Sequence, residues 1–175
     1  MLPVLLEGGG AIGRGGSITG LYAVLVEGDD MTEPVSDAAR GILDGHIALS
    51  RKLAARGHYP AIDLLDSISR VADAVCDEHH IAARRMLLKL VAAHAEAEEL
   101  INIGAYARGS NLTTDVSIAM KPSIDGILQQ ATMDRAEYPR TCRSLLELAA
   151  HAQQEFSQRQ AKAQASGGAG AKAGR

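Results

Sequence analysis

Residues 39–71 read ARGILDGHIALSRKLAARGHYPAIDLLDSISRV, and residues 16–34, shortly before them, read GSITGLYAVLVEGDDMTEP. The apolar run Leu21–Glu27 has the length and content of a strand buried on both faces, and Tyr59–Leu65 is a second extended piece. Between them, apolar residues recur at helical spacing from near Pro34, and Gly57 ends this predicted helix. The order strand, helix, strand predicts an α/β fold with a fragment of a parallel sheet.

The sequence changes character after about Val75, because its apolar residues then keep helical spacing almost throughout. Helices are predicted over 78–100, 115–130 and 139–158, with Pro122 starting a new helix or a kink within the second. The last residues are mainly Ala, Gly, Gln and Lys, which predicts a frayed or disordered tail. We therefore expect an α/β part at 1–76, a helical domain at 77–157 and a tail at 158–175.

Composition and charge exclude several classes of protein. A chain of 175 residues with net charge −3 has no overall basic field for nucleic acid or an anionic membrane. Cys76 and Cys142 show no CxxC or Cys/His spacing, so neither a disulfide nor a metal site is predicted for them. The start is too short and uncharged for a signal peptide, and no run reaches the roughly 18 apolar residues of a membrane span. We expect a cytoplasmic protein, at most peripheral to a membrane.

A glycine-dense stretch near the start resembles a nucleotide-binding loop only in part. Gly8, Gly10 and Gly13 fit the spacing GxGxxG, but a dinucleotide loop needs a helix after it, and SITGLYAVLV, which follows here, has a strand pattern. The lysine-containing signature GK[ST] of a Walker phosphate loop occurs nowhere in the chain. The stretch is interpreted as a surface connection, and no phosphate loop is predicted.

Two side chains have the chemistry of a nucleotide site. Arg70 follows the run LDSIS at a sheet edge, and its guanidinium is the planar, permanent charge that a transferring phosphoryl group requires. By itself such an arginine is more often a surface ion-pair partner. Tyr59, in GHYPAID, offers a flat ring on which adenine stacks, and the alternative is a tyrosine in the core or at the rim of the sheet. The residues alone leave both alternatives open.

An acidic loop precedes the first predicted helix. It lacks the alternating oxygen ligands of a calcium loop, and Met31 is a poor ligand for hard cations. The six histidines show neither His-x₃-His nor HExxH spacing. No metal site is predicted, and taken alone the loop is a solvated turn. Its residues of interest are Asp29, Asp30, Met31 and Glu33.

Together, the two quoted stretches resemble the flagellar protein export ATPase, a type III secretion relative of the catalytic subunit of the rotary ATP synthase. The resemblance continues through INIGAYARGS at 101–110 and fades after about Ala150. It implies the C-terminal part of a RecA-like P-loop ATPase core, without its phosphate loop, followed by a small all-α domain. The form of residues 101–110 favours the flagellar branch.

The resemblance also implies roles for single residues. Arg70, in the run S-x-S-R-V, matches the arginine finger that acts on the nucleotide of the adjacent subunit. Tyr59 matches the tyrosine that lines the adenine pocket, and Gln130, in IDGILQQ, helps to close that pocket. Ile127 departs from the family pattern, in which an aromatic residue is common. The acidic loop with Asp29, Asp30, Met31 and Glu33 matches a contact for a coiled-coil stalk protein.

As a whole, the resemblance implies a homohexameric ATPase that couples ATP hydrolysis to protein export at the cytoplasmic face of the export apparatus. ATP and Mg²⁺ are its cofactors, but the groups that hold them are expected outside this chain. We therefore expect the chain to be unable to hydrolyse ATP alone. The alternative is a non-catalytic binding or scaffold protein that docks on a full-length export ATPase or on its stalk.

Overall fold

The structure is a computed structural model that describes residues 9–13, 15–26 and 33–170. Its short strands lie in the first part of the chain, and three long helices make up the rest. In chain order the elements are β1 (Gly10–Ile12), β2 (Gly16–Ile18), α1 (Pro34–Ile42), β3 (Gly45–Leu49), α2 (Arg51–Ala55), β4 (Ile62–Ser69), α3 (Ala72–Val75), α4 (Glu78–Asn102), α5 (Leu112–Leu128) and α6 (Tyr138–Gly170).

The described strands form two separate antiparallel pairs, so the parallel pairing predicted from the sequence is wrong for these residues. Strand β1 pairs with β2, and β3 pairs with β4 from Gly45 opposite Ser69 to Leu49 opposite Ile62. The predicted strand at Tyr59–Leu65 is shifted toward the C-terminus, because β4 begins only at Ile62. Strand β4 leads directly to Arg70, whose amide donates to the carbonyl of Asp44 at 2.8 Å.

The single helix predicted from Pro34 to Gly57 is also wrong, since α1 ends at Ile42 and β3 follows. Gly45 explains the break. A β-carbon at this position would lie 3.1 Å from the Cα of Ser69 and closer still to the carbonyl oxygen of Ile68. The close approach to β4 therefore requires glycine at this position. Pairing with β4 makes these residues a strand, although the neighbouring apolar residues have helical spacing.

The strand predicted at Leu21–Glu27 does not form within the described residues of that run, 21–26. A strand is stable only when a neighbour satisfies its backbone hydrogen bonds, and none of the described residues pairs with this run. Leu21 and Leu25 are almost fully exposed, at 92% and 98%.

The helical part follows its prediction closely, although the helix ends differ. Asp77 caps α4 by accepting from the amide of His80 at 2.8 Å, which lowers the pKa of Asp77. Asn111 caps α5 in the same way, so α5 begins at Leu112 rather than at Asp115 and continues past Pro122 to Leu128. Helix α6 reaches Gly170, and so continues past residue 158, where the tail was predicted to begin. Ala, Gln, Lys and Arg favour a helix even where packing is sparse.

The hydrophobic core lies between α4, α5 and α6 rather than around the strands. Leu90, Val116 and Ala152, one from each helix, are fully buried. None of the helices in the described ranges is long and apolar enough to cross a membrane. The other buried members of the core are Leu87, Met120, Ile124 and Leu148.

Candidate functional site

Residues 50–60, which we call the bridge segment, connect β3 to β4 and also contact the helical part. Ser50 caps α2 at its start, although its hydroxyl contact to the amide of Leu53 is long at 3.5 Å. Gly57, with φ of +74°, ends α2. The amide of Gly57 donates to the carbonyl of Ala54 at 3.0 Å, and that of His58 donates to Leu53 at 3.1 Å. This Schellman motif turns the chain sharply, so that the residues after Gly57 face the helices.

Two hydrogen bonds join the end of the bridge segment to the residues after α5. The side chain of His58 is buried, and its Nδ1 lies 3.1 Å from Nε2 of Gln129. Because an amide nitrogen only donates, Nδ1 of His58 accepts this bond. One residue further along, the amide of Gln130 donates to the carbonyl oxygen of Tyr59 at 2.9 Å. The backbone thus brings together the two residues predicted to bind adenine.

The ring of Tyr59 remains largely free, with 57% of the residue exposed. It is therefore not a core tyrosine. Gln130 is exposed as well. An exposed aromatic ring beside an exposed amide is the kind of surface on which a planar base stacks and forms a hydrogen bond.

Arg70 lies at the other end of β4 from Tyr59. The strand has eight residues but bulges against the five-residue β3, because Ile62 and Ser69 lie opposite Leu49 and Gly45, so its ends are roughly 14 Å apart. The side chain of Arg70 is exposed, and its two terminal nitrogens donate to carbonyls at the end of α1. Nη1 reaches Gly41 at 3.0 Å, and Nη2 reaches Arg40 at 2.9 Å. In this arrangement Arg70 caps a helix C-terminus, where a positive charge is favourable.

The predicted stalk-contact loop falls mostly outside the described residues, since Asp29, Asp30 and Met31 all lie there. Glu33 is described: it is the N-cap residue of α1 and is half-buried. Its carbonyl accepts from the amide of Asp37 at 2.9 Å, but its side chain forms no capping bond.

A carboxylate that the sequence analysis missed links α2 to α4. Glu98 accepts from Lys52 at 2.9 Å through Oε2 and from Arg56 through Oε1. The hydrogen bonds from Arg56 and Lys52 lower the pKa of Glu98 to about 2, from an ordinary value of 4.5. Glu98 stands in the apparently ordinary run AEAEEL, so no local signal distinguishes it from Glu96 or Glu99.

A cavity of about 170 Å³, which we call the seam cavity, lies between the bridge segment, β4 and helices α4 and α5. Leu53, Leu65 and Leu90 contribute apolar surface, and His94 and Lys121 are among its polar residues. Burial, followed by the nearby charge of Lys121, lowers the pKa of His94, against the opposing charges of Glu98 and Asp125. Lys121 is paired with Asp125 one turn along α5, at 2.6 Å.

A second, more open cavity of about 360 Å³ lies beside Gln130, between the end of α5 and the start of α6. Ile127 lines it, at the position where the resembling family commonly has an aromatic residue. Arg135 and Arg140 also line it, and Asp134 is the acidic residue among the lining side chains. No group of three or more potential metal ligands occurs among residues 9–13, 15–26 and 33–170.

The loop between α4 and α5 is held by one buried carboxylate. Asp115 accepts from the hydroxyl of Tyr106 at 3.2 Å and from the amide of Gly109 at 2.9 Å. The Tyr106 hydroxyl is also 3.1 Å from the carbonyl of Asn111. The stretch INIGAYARGS therefore forms a folded loop tied to the start of α5.

Two family models match successive parts of the chain. The ATP synthase alpha/beta family, nucleotide-binding domain, matches residues 1–69, and the T3SS EscN ATPase C-terminal domain matches residues 76–147. Among curated proteins, the flagellum-specific ATP synthase of Salmonella typhimurium is 46% identical over 145 residues. That match covers 82% of this chain and 32% of the relative, so the chain spans about a third of its length.

Solved structures give the same result. The assembled ATPase EscN of the enteropathogenic E. coli type III secretion system superposes with a TM-score of 0.80 at 41% identity, over 85% of this chain and 36% of EscN. EscN in complex with its central stalk EscO superposes with a TM-score of 0.76 at 40% identity, over 85% and 35% of the two chains. These matches confirm the predicted resemblance and fold class: part of a RecA-like core followed by an all-α domain.

Proposed function

Since the chain belongs to the family of flagellum-specific and type III secretion ATPases, we propose that it serves two different nucleotide sites of an oligomeric export ATPase. Tyr59 and Gln130 contact the adenine bound by the same subunit. Arg70 reaches across the subunit boundary to the phosphates bound by the neighbour. The parent enzyme hydrolyses ATP with Mg²⁺ at the cytoplasmic face of an export apparatus and delivers proteins for export.

The observation that carries this proposal is the placement of the two groups at opposite ends of β4. Tyr59 is bonded to Gln130 just beyond the end of α5, whereas Arg70 is bonded to the end of α1. We therefore assign the two side chains to different nucleotides, as the arginine-finger role that the resemblance implies for Arg70 requires. In a ring of identical subunits, head-to-tail interfaces repeat, so each subunit meets one nucleotide with its own pocket and another at its boundary.

Arg70 has the chemistry that this role requires. Its guanidinium is exposed, and its two bonds are to backbone carbonyls rather than to a carboxylate. Exchanging two carbonyl oxygens for phosphate oxygens replaces neutral acceptors with charged ones, which form stronger bonds. The helix end that Arg70 leaves then needs water or another donor for its carbonyls.

The proposed partners follow from the same family. EscN has been solved as an assembled oligomer and in complex with its central stalk. We propose a hexamer for the parent of this chain and a coiled-coil stalk protein as the partner of the loop with Asp29, Asp30, Met31 and Glu33. The flagellar branch remains the favoured one, on the form of residues 101–110.

Subunit mixing tests the boundary role of Arg70. A chimera is made by replacing the 145 matched residues of the Salmonella relative with the matched segment of this chain; we call it the chimeric ATPase. One variant carries Arg70→Ala and a second lacks the phosphate-loop lysine of the relative. Each is expected to lose about 10³-fold or more in turnover.

Mixing the two inactive variants is expected to restore turnover, because some interfaces then pair an intact phosphate loop with an intact Arg70. Arg143→Ala, an exposed arginine on α6, is the matched control and should keep full activity. If the variants assemble into mixed rings without any recovery, Arg70 does not act in trans, and the proposal is wrong.

A further inference from the structure

Glu98 lies on α4, far along the chain from Tyr59, yet its contacts fix the segment that carries Tyr59. We propose that Glu98 is the positioning residue for Tyr59: by holding Lys52 of α2 and Arg56 at its C-cap, it fixes the bridge segment and thereby sets where the tyrosine ring stands. This inference deepens the proposed function and rests on it for the role of Tyr59 in binding adenine.

The first step of the argument is the contact itself. Both oxygens of Glu98 are used, one by Lys52 and the other by Arg56, and these two residues lie one turn apart on the bridge segment. The carboxylate thus fixes the rotation of α2 about its axis as well as its distance from α4. The side chain of Glu98 is only 21% exposed, whereas those of Lys52 and Arg56 are 67% and 48% exposed. Glu98 is therefore the fixed member of the group.

The second step is the short, rigid connection to Tyr59. Arg56 is the C-cap residue of α2, and the Schellman bonds of Gly57 and His58 follow at once. Backbone hydrogen bonds therefore define the chain between Arg56 and Tyr59, which leaves little freedom for the ring to shift independently of α2. A displacement of α2 moves Tyr59 with it.

The third step is the second anchor. His58 and Tyr59 bond to Gln129 and Gln130 at 3.1 Å and 2.9 Å. The bridge segment is thus attached to the helical part at Glu98 and again at Gln129–Gln130. Loss of the first anchor leaves the second to hold the segment alone. The Gln130 amide, whose acceptor is the Tyr59 carbonyl, then becomes a direct reporter of the position of Tyr59.

Amide hydrogen exchange of the purified chain, measured by NMR, reports directly on the hydrogen bond from the Gln130 amide to the Tyr59 carbonyl. Glu98→Gln keeps the size of the side chain but removes the charge that binds two cations. We expect exchange at Gln130 to accelerate by about fivefold, while the amides of Leu90 and Met120 in the helical core keep their rates. The control is Glu99→Gln, a change at the exposed neighbouring carboxylate, which should alter none of these rates.

Steady-state kinetics of the chimeric ATPase distinguish a positioning role from a merely structural one, because a structural role would not change KM for ATP selectively. Glu98→Gln is expected to raise KM for ATP by about three- to tenfold with kcat nearly unchanged, because a displaced adenine contact weakens ground state and transition state alike. Glu98→Asp, which keeps the charge, should restore part of the affinity.

The outcomes separate the two proposals. If Tyr59→Ala leaves KM unchanged, the adenine role fails, while the exchange data still decide whether Glu98 positions Tyr59. If exchange at Gln130 is the same in Glu98→Gln and Glu99→Gln, the positioning role is overturned. If Glu98→Gln also accelerates amide exchange at Leu90 and Met120, the variant Lys52→Gln is measured instead, because it changes an exposed side chain and removes one bond to Glu98 without changing α4. An unchanged exchange rate at Gln130 in Lys52→Gln overturns the inference.

Discussion

Nη2 of Arg70 lies 2.9 Å from the carbonyl oxygen of Arg40, so the side chain at the end of β4 closes the C-terminus of α1. The same guanidinium holds Gly41 through Nη1. Any movement of Arg70 toward a neighbouring subunit therefore uncovers the end of this helix. Two distinct properties, the stability of α1 and turnover by the ring, are expected to depend on one residue.

Arg70→Ala should lower the free energy of unfolding of the isolated chain by about 0.5–1 kcal/mol, because two exposed carbonyls lose a charged donor. Arg70→Lys should recover part of this stability, since an ammonium still favours a helix C-terminus. In the chimeric ATPase the lysine variant should stay inactive, because it lacks the planar fork. Urea unfolding and phosphate release measure the two effects. If Arg70→Lys recovered stability and turnover equally, the two roles of Arg70 would not be separate.

The exposed ring of Tyr59 is expected to contribute stacking rather than its hydroxyl. Tyr59→Phe in the chimeric ATPase should keep KM for ATP near its original value, and Tyr59→Ala should raise it by about tenfold, since stacking contributes about 1–3 kcal/mol per base. Tyr138→Ala, at a tyrosine that is 70% exposed against 57% for Tyr59, is the control. A Phe variant as impaired as the Ala variant would assign the contact to the hydroxyl.

The chain alone is expected not to hydrolyse ATP. Its sequence contains no GK[ST], and the lysine of that motif is needed to bind the terminal phosphates. Phosphate release by the purified chain with Mg²⁺ and ATP should match that of buffer, with the chimeric ATPase as the positive control. Turnover that requires Mg²⁺ and survives repeated purification would refute this expectation.

The loop held by Asp115 is expected to be a coupled unit. Asp115→Ala leaves the amide of Gly109 and the Tyr106 hydroxyl without this acceptor, so the free energy of unfolding should fall by about 1–3 kcal/mol. Tyr106→Phe should cost about 1 kcal/mol. In a double-mutant cycle the two losses should not add, because both remove the same 3.2 Å bond. Full additivity would mean that this bond contributes nothing to stability.

His94 is expected to make stability depend on pH. Its pKa is lowered in the folded chain, so the unfolded chain binds the proton more tightly, and protonation favours unfolding. The contribution of neutral His94 to the free energy of unfolding is complete above pH 6.5, the ordinary pKa of histidine. It is lost as the pH falls from there through the lowered pKa of the folded chain. His94→Gln should flatten this part of the curve of unfolding free energy against pH. An unchanged slope below pH 6.5 would exclude His94 as its source.

Glu98 acts in a separate pH window. Its pKa is about 2 in the folded chain, against 4.5 ordinarily, so its contribution is complete above pH 4.5 and is lost toward pH 2. The contacts of Glu98 with Lys52 and Arg56 are thus at full strength at pH 6.5, where the loss of the His94 contribution begins.

Local sequence signals predicted the helical part well because its helices are specified by nearby residues. Asp77 and Asn111 are capping residues that hold the first amides of α4 and α5. The apolar positions that lead to Leu90 and Val116 recur at helical spacing, so their burial followed from the pattern. The capping role of Asn111 was missed, because the prediction began the helix at Asp115. Asp115 instead lies within α5 and binds the preceding loop.

The strands were poorly predicted because their pairing depends on distant residues. The apolar spacing from Val35 to Leu53 fits a helix, yet β3 forms because β4 lies against it. The same limit applies to the site. Tyr59 and Arg70 were found through motifs, whereas Glu98 and His58 matter only through contacts with residues far along the chain. A carboxylate without a motif cannot be distinguished until its partners are placed.

Gly45 carries a consequence for sequence variation in the family. The three nearest atoms that a β-carbon would meet at this position all belong to the backbone of β4, so no side-chain rearrangement relieves the clash. Any other residue at position 45 must push the end of β4 outward and carry Arg70 away from α1. We therefore expect that relatives which present this arginine from the same place retain glycine here, and that another residue at this position is accompanied by a shift of the arginine.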